Sequence, residues 1–275
     1  MPPRSITTEK KYRYRYSVCT LVTNTQEYEE MISSYIAAGF TEEICEFLYA
    51  DNTLSNQFEA FGALNQFLQE AQGEYIILCH QDIILHDSNR VDLESRIREM
   101  DSLDPSWGIL SNAGGVNLKH VAMHITQPTG NRFVEKNLPL RVITVDENFI
   151  LVKHRANLAL SSDLSGFHLY GTDICLIAEA LGFTSYVINF NLIHKSDGNA
   201  NRSFFEILAR LKKKYRQAFR GRFVSTTITR FYISGSKIAV LAFNTFPVLF
   251  LSRQYFKLFK PKRKYSKGIT TKKPV

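Results

Sequence analysis

The stretch from Glu74 to Asp82, Glu-Tyr-Ile-Ile-Leu-Cys-His-Gln-Asp, runs through unbroken apolar residues and stops on three polar side chains. A carboxylate with an imidazole two residues before it can bind a divalent cation or handle a substrate proton, so Asp82 and His80 are the first candidates for metal or substrate chemistry. Other apolar runs end in the same manner. Thr23-Asn24 and Asp51-Asn52 close the first two, and His194-Lys195-Ser196-Asp197-Gly198-Asn199 closes the last. A further carboxylate, Asp173, ends the segment Gly166-Phe-His-Leu-Tyr-Gly-Thr-Asp, and Asp146-Glu147-Asn148 separates two strand-like runs.

The elements that must position these groups follow from periodicity. Ser17 to Val22, Glu46 to Ala50 and Tyr75 to Cys79 read as strands; the third, apolar throughout, is the kind covered on both faces in a parallel sheet. Glu27 to Ala38 and Asn56 to Ala71 carry apolar residues three and four apart and stop at Gly39 and Gly73, as helices do. Strands alternating with helices imply right-handed crossovers, a parallel sheet and polar strand ends gathered along one edge, where α/β sheets bind ligands. Arg90 to Leu103 reads as a surface helix, Trp107 to Leu110 as a strand, and Asn117 to Asn137 as an irregular loop facing either substrate or solvent. Arg141 to Val145, Phe149 to Lys153 and Ser185 to Ile193 read as strands. A helix with Ile174, Ile177, Ala178 and Leu181 on one face starts at an N-cap Thr172, which puts Asp173 in its first turn, where the helix dipole favours the ionised carboxylate.

Each candidate also has a structural use. Asp82 would cap a turn, His80 would fill a core position, Asp173 would merely start a helix, and Asp146 with Glu147 would cap the turn between strands or face a substrate. The remaining histidines, at 86, 120, 124, 154 and 168, do not have zinc-site spacing, and there is neither a Gly-x-Gly-x-x-Gly after the first strand nor a Gly-Lys-Ser/Thr, which argues against dinucleotide and P-loop nucleotide binding. Cys19, Cys45, Cys79 and Cys175 lie far apart in apolar contexts and read as buried thiols of a reducing cytosol; Met1 to Tyr16 lacks the apolar core of a signal peptide.

The order of pieces resembles the nucleotide-sugar glycosyltransferases of family 2, with their GT-A fold: a strand ending in Thr-Asn, one in Asp-Asn, an apolar one in His-Gln-Asp, then Phe-His-x-Tyr-Gly-x-Asp-Ile-Cys-Leu, Ala-x-x-x-Gly-Phe and Ile-His-Lys-Ser. It is most similar to the streptomycin-biosynthesis glycosyltransferase-like branch, over roughly Tyr16 to Asn199. The resemblance implies a Rossmann-like, mostly parallel α/β sheet over residues 16–200, behind a polar leader of residues 1–15. It implies an inverting, hexosyltransferase-type enzyme of polysaccharide assembly that uses a nucleotide-diphosphate sugar and a divalent metal, Mn²⁺ or Mg²⁺. Asp51 and Asn52, with Thr23 and Asn24, would meet the donor nucleoside. Asp82, with His80 and His194, would hold the metal and diphosphate. Asp173 would be the general base on the hydroxyl of a glycan or lipid-linked acceptor, with Asp146 and His168 on the acceptor side. His80 departs from the family's Asp-x-Asp metal motif, and imidazole suits Mn²⁺ better than Mg²⁺. A family member that binds nucleotide sugar or glycan without turnover is the alternative.

Residues 201–275 form a basic helical tail. From Ser203 onward there are 18 Lys and Arg against a single acid, Glu206, whereas the preceding residues carry a net −9. Phe204, Phe205, Ile207, Leu208, Leu211 and Tyr215 fall on one face of a helix over Ser203 to Phe219. Ile238 to Leu251 is free of charge but shorter than the ~20 residues that span a bilayer. Lys257, Lys260, Lys262, Arg263, Lys264 and Lys267 follow it. Apolar anchor plus polybasic cluster is the composition of a segment lying on an anionic membrane, which predicts a cytoplasmic protein peripheral to the inner face. Nucleic-acid binding accounts for the basic charge but not for the acidic body, and no nucleic-acid partner is expected.

Overall fold

The computed structural model describes residues 10–135, 137–197 and 202–258, with Pro3 and Ser5. Gly198 and Asn199, and the tail lysines and arginine at 260, 262, 263, 264 and 267, lie outside the described residues. The chain divides into two compact units, residues 1–211 and 212–275.

The first unit opens with β1 (Tyr14–Val22), α1 (Thr25–Ala37), β2 (Cys45–Asp51), α2 (Ala60–Glu70) and β3 (Gly73–Cys79). β1 pairs with β2 and with β3 in parallel, as the strand–helix alternation predicts. Asn24 caps α1 by accepting from the backbone N–H groups of Gln26 and Glu27, and Gly39, at φ +92, reverses the chain after it. α2 starts four residues later than its apolar pattern predicts. The Asn52 side chain bonds both N–H and C=O of Phe58 and holds that stretch as a loop, and Glu59 supplies the cap. β1 begins inside the polar leader because Arg15 finds carboxylate partners in Glu74 and Glu94.

Next come β4 (Ile83–Ile84), α3 (Arg90–Leu103), β5 (Trp107–Ser111), β6 (Ala113–Gly115), β7 (Val121–Gln127), β8 (Gly130–Val134), β9 (Leu140–Val142), β10 (Thr144–Val145) and β11 (Phe149–Lys153). After them α4 (Tyr170–Ala180), β12 (Thr184–Val187), β13 (Leu192–His194) and α5 (Arg202–Ala218) follow. The main sheet has the order β2-β1-β3-β11-β5-β12-β9, in which β11 and β9 run against the others. A second sheet, β10-β6-β7-β13-β4, carries β8 on β7.

Three sequence readings are corrected. Asn117 to Asn137 is not irregular but contains the β7–β8 hairpin, whose outer strand is exposed at every residue and so shows no alternation. Arg141 to Val145 and Ser185 to Ile193 are each two strands divided between the sheets: β9 and β10, and β12 and β13. The core between sheet and helices is aromatic. Tyr16, Tyr35, Phe40, Trp107 and Phe149 are wholly buried, and Tyr75 stacks on Trp107 at 5.9 Å between ring centroids. All four cysteines are buried free thiols.

The second unit comprises the hairpin β14 (Arg222–Ser225) and β15 (Arg230–Ile233), then α6 (Lys237–Phe243) and α7 (Phe246–Lys257).

Candidate active site

The ends of β1, β2 and β3 meet. Asn52 N donates to the Val22 carbonyl at 2.7 Å, and Gln81, just past β3, receives the N–H groups of Thr23 and Asn24 at 2.7 and 3.0 Å. The Gln81 amide also donates to Thr23 Oγ1 and Glu27, so it ties the first strand end to the third. Thr23 and the buried Asn52 line a cavity of about 260 Å³ together with His80, Gln81 and Asp82. Asn24 and Asp51 are committed locally, Asn24 to its helix cap and Asp51 to the N–H and hydroxyl of Thr53, whose bonds hold the Asp51 carboxyl below its ordinary range. Neither lines the cavity.

The three expected metal ligands converge although His194 lies far along the chain from the other two. β13 pairs antiparallel with β4, setting His194 opposite Ile83, and Lys195 N bonds the Asp82 carbonyl at 3.1 Å. His80, Asp82 and His194 each turn one ligand atom into a cluster whose members lie within 4.8 Å of one another. His194 Nε2 stands 3.4 Å from Asp82 Oδ1, and Ser196 donates to Asp82 Oδ2 at 2.7 Å. Burial opposes ionisation of Asp82, but the bonds from His194 and Ser196 and the electrostatic pull of the neighbouring rings outweigh it and bring its pKa down to about 2. Burial and the neighbouring His194 both lower the His80 pKa and keep that ring neutral. One ionised carboxylate beside a neutral imidazole and a second imidazole fits a divalent transition metal. The Tyr170 hydroxyl meets His80 Nε2 at 2.9 Å and fixes its ring.

Beyond the cluster lies a larger cavity of about 590 Å³, sharing His80 and Phe167 with the smaller one. Asp146, Glu147, His168 and Thr172 make its polar wall; Met123 and Ile125 of β7 and Phe204 of α5 make an apolar one. Asp146 lines this space and accepts from the Asn148 backbone N–H and side chain.

Asp173 is not on either cavity wall. It sits in the first turn of α4 as its position predicts, yet it is fully buried. Its two oxygens accept from the N–H and the hydroxyl of Ser161, each at 2.7 Å. Thr172 does not cap the helix either. α4 begins earlier, at Tyr170, after Leu169 in a left-handed conformation, and with no side-chain cap of its own. The N–H groups of its first turn point instead at Glu147, with Gly171 N at 3.4 Å from Oε1. A side chain at Gly171 would run into the Val145 carbonyl, so glycine permits this approach. Burial raises the Glu147 pKa, with the Asp146 charge adding to it, to about 8 against the pull of those N–H groups. Ser196 and Tyr170, on the metal side, are the residues to which sequence reasoning gave no role, and Glu147 was read with Asp146 only as capping a turn or facing a substrate.

Replacing Asp173 by Ala is expected to act on stability. Each Ser161 group left unpaired in the interior costs about 1–3 kcal/mol, to be read as a fall in Tm by calorimetry.

No family model matches the chain. A Fuscovulum blasticum protein called ATP synthase subunits region ORF 6 is 36% identical over 226 residues, covering 80% of this chain and 91% of that protein. Among solved structures, the mannosyltransferase PcManGT of Pyrobaculum calidifontis, in complex with GDP-Man and Mn²⁺, gives a TM-score of 0.49 at 13% identity over 91% of this chain and 72% of its own. GalNAc-T7 with UDP, GalNAc and Mn²⁺ gives 0.49 at 8% identity, over 73% and 48%. Staphylococcus aureus TarS 1–349 gives 0.43 at 10% identity, over 66% and 60%. No helix among the described residues is long and apolar enough to cross a membrane.

Proposed function

The chain belongs to one family with the Fuscovulum blasticum ORF 6 protein, and we propose that this member is a metal-dependent, inverting glycosyltransferase. It moves a hexose from a nucleotide-diphosphate donor to a hydroxyl of a glycan or lipid-linked acceptor in polysaccharide assembly, in the manner of the streptomycin-biosynthesis-like branch. One observation carries the reading: the His80, Asp82 and His194 cluster stands on the wall between two cavities at the carboxyl ends of β1 and β3. A donor laid across that wall has its nucleoside in the smaller cavity beside Thr23 and Asn52 and its sugar facing the larger one. Asp51 is left outside the nucleoside contacts by its bonds to Thr53.

Two imidazoles and one carboxylate favour Mn²⁺ over Mg²⁺. A divalent ion held there would neutralise the charge that grows on the departing diphosphate. His80 and His194 would each supply a ring nitrogen, Ser196 orients Asp82, and Tyr170 orients His80. The acceptor occupies the larger cavity, and its hydroxyl oxygen attacks the anomeric carbon as the bond to the diphosphate breaks and its electron pair leaves with the phosphate oxygen. The acceptor proton goes to the Glu147 carboxylate, the half-buried acid on that wall, rather than to Asp173, whose oxygens are occupied by Ser161. Direct displacement with inversion requires one such carboxylate; a hydrolase would ordinarily require two facing each other.

Binding without turnover remains the second reading, favoured by His80 in place of the family's first metal carboxylate. A thermal-shift screen of nucleoside diphosphates with and without Mn²⁺ tests the donor side, since a ligand at about 100 times its Kd adds about 2.7 kcal/mol of stability. Stabilisation by a nucleotide only when Mn²⁺ is present supports both readings, and no stabilisation by any nucleotide removes both. Release of nucleotide from a nucleotide sugar then separates them.

A further inference from the structure

Beyond the chemistry of the first unit, the second carries large apolar side chains that stay exposed among the described residues. None of the residues of α6 and α7 is buried. Ile238, Leu241, Phe246 and Leu258 are 79–83% exposed, Leu251 and Phe250 are half or more exposed, and Ile228 at the tip of the β14–β15 hairpin is 93% exposed. The unit is nevertheless built. Asn244 accepts from Tyr232 N at 2.8 Å and donates to Tyr232 O and Val240 O, and Phe223, Tyr232 and Phe243 pack ring against ring. The exposed apolar groups are therefore held on a folded scaffold. Exposure of this many large apolar side chains within one short segment points to an interaction surface.

Charge selects the partner. Residues 212–258 hold ten Lys and Arg and no acid, and residues 259–275 add seven more bases. A nucleic acid would satisfy the cations and leave Ile238, Leu241 and Phe246 in water. A second copy would cover the apolar groups and bring two strongly basic segments together, which repel. An anionic bilayer satisfies both, with apolar side chains at the acyl boundary and lysines and arginines among the headgroups. α7 has 12 residues, about 18 Å of helix at 1.5 Å per residue, against a hydrocarbon core of about 30 Å; it fits in the plane of the interface and cannot cross.

We propose that α6, α7 and the β14–β15 tip form a docking surface for an anionic lipid bilayer, such as the cytoplasmic leaflet presents. None of these residues belongs to the metal cluster or lines either cavity, so the test reads neither.

The full-length protein is to be co-sedimented with phosphatidylcholine vesicles with and without phosphatidylglycerol, beside the triple variant Ile238→Gln, Leu241→Gln, Phe246→Gln. All three side chains are mostly exposed, Phe246 meeting the ring of Phe250, and an unchanged Tm checks that the fold is kept. The wild type is expected to bind only the phosphatidylglycerol vesicles, and the variant to bind them at least tenfold more weakly. Equal binding of variant and wild type, or equal binding to phosphatidylcholine alone, overturns the proposal. So does a lipid-free dimer, seen by light scattering, that the variant abolishes, or vesicle binding that an RNA competitor removes with no effect of the variant.

Discussion

Glu147→Gln is expected to lower the rate of sugar transfer by about 10²–10⁴-fold, the usual worth of a positioned general base, while leaving Mn²⁺-dependent nucleotide binding intact. Glutamine keeps a carbonyl oxygen for the N–H groups at the start of α4, so the Gly171 bond is retained; what is lost is the proton acceptor. The wild-type rate should rise with pH and level off near pH 8, where burial sets the Glu147 pKa, and the variant should lack that limb. The same group links to stability with a definite sign. Folding raises this carboxyl from 4.5 to about 8, so its contribution is fully present below about pH 4.5 and is lost as pH rises toward 8. The variant carries no such group, and its Tm should decline less than that of the wild type across that interval. A Glu147→Gln enzyme that turns over at the wild-type rate would assign the base elsewhere and leave the metal and donor reading standing.

Asp82→Ala is the second large effect. It removes the only carboxylate among the three candidate ligands and leaves His80 and His194 to hold the ion alone. Loss of an outer-shell partner costs 10–100-fold in metal affinity, and loss of a charged ligand should exceed about 100-fold. Mn²⁺ titration by calorimetry reads it directly, and the Mn²⁺-dependent part of nucleotide binding should vanish with it. Ser196→Ala, which takes away the hydroxyl bonded to Asp82 Oδ2, should fall within that 10–100-fold range. Unchanged Mn²⁺ affinity in Asp82→Ala would remove the cluster as the metal site.

The strand ends of the site were legible because each closes a run of apolar residues, and a run that stops on polar groups has few structural alternatives. The meeting of His194 with Asp82 was legible only through the order of motifs, because the β4–β13 pairing that joins them involves two residues of β4. Asp173 was placed correctly along the chain and wrongly in space. A first-turn position fixes the height of a side chain on its helix, not the direction it faces, and Ser161, which draws it inward, belongs to no recognisable motif. Which of the two readings applies to Glu147 was hidden for the converse reason. Its burial and raised pKa arise where it meets the uncapped start of α4, and no local pattern around Asp146-Glu147-Asn148 encodes that encounter. The β7–β8 hairpin escaped because an outer strand exposed on both faces has no period to read.

The most direct test is to incubate the purified full-length protein with a panel of nucleotide sugars and follow release of nucleoside diphosphate, with Mn²⁺ and with a chelator. Release from at least one donor with Mn²⁺, abolished by the chelator and by Asp82→Ala and reduced at least about 100-fold in Glu147→Gln, is the predicted result. Absence of metal-dependent release from every donor, by a protein that Mn²⁺ and nucleotide together stabilise, would contradict catalysis and leave a binding protein.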